Sequence, residues 1–272
     1  MSDPLSIIAI AAAVGGTAGK FTEKAWDCGE RWLSERFGSH AAKAQENARN
    51  NAASFIEELA KKIKVLEDKS QINPEVIAAT EQHPQFSSLL QQTIINAAQT
   101  DDKAKHDLLS QLIANRLTSK AETTLSLASQ LASDAIARST SRQLMLMGLC
   151  SFTEYARPTV KLTSSQFRRW IETGLEPFSD FEFNELDARH LVAIACASYD
   201  PTSERDLILL LQMKGVTDYL EVPLYDLEIV QHLQICWGFG LAGVSLTSVG
   251  TIVGGLAFDQ ITGCNSWNPQ WD

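Results

Sequence analysis

Apolar residues recur every three or four positions through most of this chain, and that spacing predicts consecutive amphipathic helices. The strongest run lies between Ala41 and Lys69, where Ala48, Ala52, Phe55, Ile56, Leu59, Ile63 and Leu66 share one face. Asn73-Pro74-Glu75 reads as a helix start, with an N-cap, a proline at the first helical position and an acid in the first turn. His83-Pro84 interrupts the chain again, and Phe86, Leu89, Leu90, Ile94 and Ala97 then mark the next helix. Asp101-Asp102 opens another, striped by Leu108, Leu109, Leu112, Ile113 and Leu117. Leu125, Ala128, Leu131, Ala132 and Ala135 continue the pattern to about Arg138. Residues 41–138 hold no glycine, and their only prolines are Pro74 and Pro84. This is the pattern of a helical bundle.

Beyond Leu144–Phe152 the pattern changes. Thr163-x-x-Gln166 is a capping box opening a helix that runs to Gly174. An aromatic, acidic connector (Pro177–Phe183) precedes a helix expected over Glu185–Ser198. Asp200-Pro201 is expected to cap a third helix carrying Leu207–Leu211, and Leu224–Trp237 to form a fourth. Phe239–Leu241 and Val244–Leu246 read as two short strands turned at Ala242-Gly243, with Thr247 capping a last, glycine-rich helix. The expected fold is mainly α: an N-terminal helical bundle and a smaller winged-helix-like C-terminal unit containing a short β-hairpin. The expected segments are 1–38, apolar then amphipathic; 39–156, the bundle; and 157–272, the C-terminal unit with an aromatic tail.

Charge is absent at both ends of this pattern. Pro4–Gly19 contains no Asp, Glu, Lys or Arg, and neither does Ile229–Phe258. Such stretches must be buried in the fold, covered by a partner, or released into a bilayer. Cys236–Phe258 is 23 residues long, enough to cross an apolar core of about 30 Å. Its glycines, serines and threonines favour burial in a soluble fold instead. Leu5–Val14 lacks a polar face, while Ala41–Lys69 has a complete stripe, so residues 1–38 read as a detachable segment serving association. Ile7, Ile8, Ile10, Trp26, Trp32, Trp267 and Trp271 are the candidate contact residues.

The net charge of −10 sharpens the division. Residues 1–150 carry 16 Lys and Arg against 17 Asp and Glu, and residues 151–272 carry 7 against 16. No cation follows Lys214. A surface this acidic repels phosphate backbones, which disfavours nucleic acid as a partner. Cys28, Cys150, Cys196, Cys236 and Cys264 are widely spaced and odd in number, which reads as reduced thiols in a cytoplasmic protein. The N-terminus lacks the leading cations of a secretory signal.

No spacing of residues identifies a reaction. Gly238-x-Gly240-x-x-Gly243 matches a dinucleotide fingerprint, with Asp259 downstream, but a helix precedes it where a strand is required. Gly15-Gly16-Thr17-Ala18-Gly19-Lys20 approaches a phosphate loop, with Val14 and Phe21 in place of the first glycine and the metal-binding hydroxyl. The five histidines are scattered, and Asp187 and His190 alone share a helix face at ligand-like spacing. Gly15-x-x-x-Gly19 and Gly250-x-x-x-Gly254 permit close helix approach. Neither a catalytic residue, a cofactor nor a metal is expected.

Three passages carry a family resemblance: Asp102–Lys120 (DKAKHDLLSQLIANRLTSK), Leu127–Leu149 (LASQLASDAIARSTSRQLMLMGL) and Leu246–Gly250 (LTSVG). Together they resemble bacterial helical proteins of the abortive-infection alpha type and their uncharacterised relatives. The glycine-rich Gly250–Gly255 departs from that pattern, where a more charged helix is expected. The resemblance implies a role in phage defence and brings no catalytic residues. The reading is a non-enzymatic, cytoplasmic protein that self-associates or docks a protein partner. Two alternatives stand beside it: a membrane-disrupting effector whose N-terminus is exposed by a trigger, and a nucleotide-dependent enzyme using one of the glycine stretches.

Overall fold

A computed structural model describes residues 4–119, 124–214 and 221–263, and their side chains except at 4–8 and 124–126. The chain is mainly α-helical and divides into two compact units at Ala137/Arg138.

The first unit is built on α3 (Ala42–Asp68), against which α1 (Pro4–Val14), α2 (Gly16–Phe37), α5 (Pro84–Ala98) and α6 (Lys103–Thr118) pack. The expected stripe explains the position of α3, since Ala48, Ala52, Phe55, Ile56, Leu59 and Ile63 are all buried. The short α4 (Pro74–Glu81) begins as the sequence predicts, with Asn73 Oδ1 accepting from Val76 N at 2.8 Å. The stripes expected of α5 and α6 are buried in full. In α7 (Thr124–Arg138) the outcome differs: Ala128, Ala132 and Ala135 are buried, whereas Leu131 is exposed, as is Leu127 one turn earlier. The inner face of α7 is instead small and polar. Ser133 meets Thr93 Oγ1 at 3.0 Å and accepts from Asn96 Nδ2 at 3.1 Å, and Asn96 also donates to Asp134 at 2.9 Å.

Residues 1–38 are not a detachable segment in this unit. Ala18, Phe21, Ala25, Trp26 and Leu33 of α2 are buried, and Phe21 meets the ring of Phe86 from α5 at 6.3 Å. The chain turns between α1 and α2 through Gly15 and Gly16, at φ +61° and +59°, a region that favours glycine.

The second unit is built on the pairing of α8 (Ser141–Glu154) with α13 (Ser248–Thr262). Every residue from Val249 to Phe258 is buried, so the glycine-rich end of the charge-free C-terminal stretch is core. A Cβ on Gly254 would lie 2.4 Å from Met147 O, and one on Gly250 only 1.8 Å from Cys196 O. The small-residue spacing therefore sets how closely α13 approaches its neighbours. Around this pair lie α9 (Ser164–Leu175), with the expected Thr163–Gln166 capping box, and α10 (Glu185–Ala193). Next come α11 (Leu207–Gln212) and α12 (Glu228–Gly238). A box not foreseen, Thr140 with Gln143, opens α8. Asp206, not Asp200, caps α11, accepting from Leu209 N at 3.0 Å.

The expected hairpin is absent. Leu241–Gly243 forms a 3-10 turn, and β2 (Val244–Leu246) pairs antiparallel with β1 (Ala197–Tyr199), in the register Ala197↔Leu246, Ser198↔Ser245, Tyr199↔Val244. A tight two-residue turn of the hairpin type needs positive φ at its first central residue. Ala242 and Gly243 do not provide it; the positive φ belongs to Gly240, at +118°. Gly243 instead lets the backbone of Asp200 come close, as a Cβ there would meet Asp200 O at 2.1 Å. The helix expected to reach Ser198 stops at Ala193, where Ala195 at φ +60° turns the chain into β1. This ladder replaces the wing expected of a winged-helix-like unit. With α8 in this unit, the division falls earlier than the expected end of the bundle at 156.

Candidate functional site

One group of polar side chains in the second unit gathers at the C-terminal end of α8, where the last carbonyls of a helix need partners. Lys214 supplies two, its Nζ donating to Thr153 O at 2.9 Å and to Phe152 O. Arg157 Nη1 covers Glu154 O at 3.0 Å and Ala156 O at 2.9 Å. The Glu154 carboxylate pairs with Arg205 Nη1 at 2.5 Å. Arg205 also donates to Ala242 O at 2.7 Å and to Val244 O, and lies over the Trp237 ring. Lys214 is fully buried. Burial holds its ammonium well below the usual lysine range, nearby Arg157 adds to the effect and Glu154 opposes it. A cation so enclosed and so bonded ends a helix.

The thiols tell the same story. Burial pushes Cys150 far up, and Cys196 up to about 12, so neither supplies a thiolate at neutral pH.

What the second unit offers outward is apolar. α11 and α12 run side by side in opposite directions. Trp237 Nε1 donates to Arg205 O at one end of the pair. At the other, Gln212 Nε2 donates to Val222 O at 2.8 Å and Gln231 Nε2 to Tyr225 O at 3.0 Å. Their inner faces are closed by Leu207, Leu211, Val230, Leu233 and Cys236. Their outer faces expose Leu209 and Met213 on and just beyond α11, and Ile235 and Phe239, one turn apart, at the end of α12. Phe239 is 75% exposed and Ile235 61%. Glu204, Glu221 and Glu228 flank these helices and are exposed, without an ion pair to another described residue. Of the nearby cations, Arg205, just before α11, is taken by Glu154, and Arg168 of α9 by Asp226, just before α12, at 2.6 Å. The two helices and their flanks thus carry exposed apolar side chains together with unpaired carboxylates.

A family model described only as "-like", an uncharacterised family, matches residues 19–220, about three quarters of the chain. The chain belongs to that family. No curated protein and no solved structure matches it. The matched range covers the first unit from within α2 onward and the second as far as α11. It leaves α12, β2 and α13 outside.

The expected contact residues do not form one site. Trp26 is 6% exposed and belongs to the core of the first unit, and Ile10 and Trp32 are half-buried. The side chains of Ile7 and Ile8, and the whole of Trp267 and Trp271, lie outside the described residues. The near-phosphate loop has an internal occupant: Glu67 accepts from Thr17 N at 2.7 Å and Ala18 N at 3.4 Å, so a carboxylate from α3 sits where an anion binds a helix N-terminus. These backbone bonds hold the Glu67 carboxyl below its ordinary range. Gly240 and Gly243 shape the turn into β2.

Histidines act as caps. His106 is buried with Nε2 at 2.9 Å from Thr100 O and 3.1 Å from Ala97 O, which places the ring proton on that nitrogen, and with Nδ1 at 3.3 Å from Ser54 Oγ. His190 and His232 meet Arg138 O at 3.2 Å and Phe181 O at 2.8 Å. Asp187, the neighbour of His190 on its helix, turns to Gln143 at 3.0 Å and Arg142 at 2.5 Å. Among the described residues no group of three or more metal-ligating side chains converges, and no helix is long and apolar enough to cross a membrane. The α11–α12 surface had a weak sequence signal. Every residue of Leu207–Leu211 is apolar, more than one face of a six-residue helix can bury.

Proposed function

We propose that this chain is a non-enzymatic interaction protein whose second unit docks a basic, amphipathic segment of a protein partner on α11 and α12. The observation that carries this reading is the exposed pair Ile235 and Phe239 on α12, with exposed Leu209 and Met213 on and just beyond the paired α11 and unpaired Glu204, Glu221 and Glu228 on the flanks of the two helices. A helix presenting leucines on one face and lysines along its edges complements both features. A second copy of this chain is a poorer occupant, because residues 151–272 carry 7 cations against 16 acids and would meet their own charge. The same charge disfavours nucleic acid. The resemblance to abortive-infection proteins supports placing this docking in bacterial phage defence.

Titration of the full chain with a fluorescent Lys/Leu amphipathic helix, and with a Glu/Leu helix of the same pattern, tests the docking. We expect the basic helix alone to bind, with affinity falling as salt rises. Phe239→Ala and Ile235→Ala should each weaken it at least tenfold, about 1.4 kcal/mol, with the thermal melt unchanged. Equal binding of both helices, or binding indifferent to these substitutions, refutes the surface. In cells, protection against a phage panel that Phe239→Ala abolishes is the expected result for the defence role.

A further inference from the structure

We infer that a polar cleft in the first unit is a binding site for a purine nucleoside monophosphate, a site independent of the docking surface. The cleft has a volume of about 890 Å³ and lies between the end of α2, the first turns of α3 and the connection from α5 to α6. That is within the range of small-molecule sites.

The walls are unusual for a bundle. Arg36, Phe37, His40, Asn47, Asn50 and Asp101 face the space. The side chains of Arg36, Asn47, Asn50 and Asp101 make no hydrogen bond or ion pair with another described residue. Asparagine is among the poorer helix formers, yet α3 carries it at 47, 50 and 51, all on its cleft side. Only Asn51 has a structural role, its Nδ2 donating to Ala98 O at 3.1 Å and tying α3 to the end of α5. The turn bearing His40 is also fixed, because Gln45 Nε2 donates to Gly38 O at 3.1 Å and His40 O at 2.8 Å. Phe37 and His40 lie edge to face with centroids 5.4 Å apart. The frame is set by bonds within the protein; of the polar groups that line it, Asn50 is half-buried, and Arg36, His40, Asn47 and Asp101 are exposed along its open side.

Those free groups define the ligand. A carboxamide presents a donor and an acceptor in one plane, the complement of a purine edge where donor and acceptor adjoin. The Phe37–His40 wall offers an aromatic surface on which a flat base stacks, and stacking tolerates any base while favouring the larger ring system. Arg36 supplies a fork of donors for one phosphate, and Asp101 accepts from sugar hydroxyls. One cation and one carboxylate suit a monophosphate and disfavour a triphosphate.

The test is calorimetry on the full chain with AMP, GMP, UMP, adenosine and ribose 5-phosphate. At least one purine monophosphate should bind with one-to-one stoichiometry, and UMP and ribose 5-phosphate at least tenfold more weakly. Asn50→Ala should weaken the nucleotide at least tenfold. Arg36→Ala should weaken the nucleotide but leave adenosine unchanged. Should Asn50→Ala alter the melt, Asn47→Ala takes its place. Absence of binding by either purine monophosphate at millimolar concentration overturns the inference. So does ribose 5-phosphate binding as well as AMP, or affinity indifferent to the cleft substitutions. The Phe239→Ala chain should bind as the wild type does, which separates this outcome from that of the docking surface.

Discussion

At the scale of single residues, several polar side chains serve helix ends. Lys214 closes α8, and His106 covers carbonyls at and just beyond the end of α5. Glu67 occupies the start of α2 from fifty residues away. The last of these has a pH signature. Bonds from Thr17 N and Ala18 N hold the folded-state Glu67 carboxyl below its unfolded value. Its stabilising contribution is therefore complete above the ordinary glutamate range and lost as pH falls through the folded-state value. Glu67→Gln keeps an acceptor but removes the charge at a helix N-terminus, a change of about 1 kcal/mol. Denaturant titrations from pH 7 to pH 3 should show the wild-type advantage shrinking as the pH drops. An advantage that is flat over this range rules out the ionised cap. Nothing in the spacing of the sequence couples Glu67 to Gly16, because the pair meets only once α2 lies along α3.

At the scale of elements, legibility followed locality. Helices marked by an apolar stripe, such as α3, α5 and α6, or by a local cap, such as α4, α6 and α9, stand where the sequence places them, since the signal and the structure share the same few residues. The β1–β2 ladder was misread because its partner lies in a distant segment, and nothing in Val244–Leu246 distinguishes a neighbour at 239–241 from one at 197–199. Leu131 of α7 departs from its expected stripe for a related reason: Ser133 and Asn96 satisfy each other across two helices, so small polar residues take part of the inner face. The glycines separate in the same way. Gly250 would place a Cβ 1.8 Å from Cys196 O, backbone that cannot move aside, whereas a Cβ on Gly238 meets nothing within 4 Å. Gly250→Ala should cost about 3 kcal/mol or more by forcing α13 off its neighbours. Gly238→Ala, at a helix end with ordinary φ, should be neutral or stabilising by up to about 1 kcal/mol. Thermal melts of the two variants read the contrast, and a Gly238→Ala loss as large as that of Gly250→Ala refutes the assignment of these glycines to packing and turn.

At the scale of the whole molecule, the limits of the family do not coincide with the limits of the fold. The matched range stops at residue 220, yet α8 keeps Leu144, Leu146, Met147, Leu149 and Phe152 buried in a unit whose principal contact is α13. Phe258 stacks on Phe152 at 5.1 Å and on Phe178 at 6.4 Å, and β1 has its ladder partner in β2. A chain ending at residue 220 would lose all of these at once. The first unit would keep its own core from α2 to α7. Residues 1–220 should therefore unfold with the cooperativity of the first unit alone. The urea m-value should be smaller than that of the full chain, since m scales with the surface exposed on unfolding, and a hydrophobic dye should bind the uncovered face of α8 before any urea is added. An m-value in proportion to chain length, with no dye binding, would mean that α8 finds another cover and that α13 is an accessory. The expected result makes residues 221–263 as much a part of the second unit as the family-matched residues they complete, and places half of the docking surface on a segment the family model does not reach.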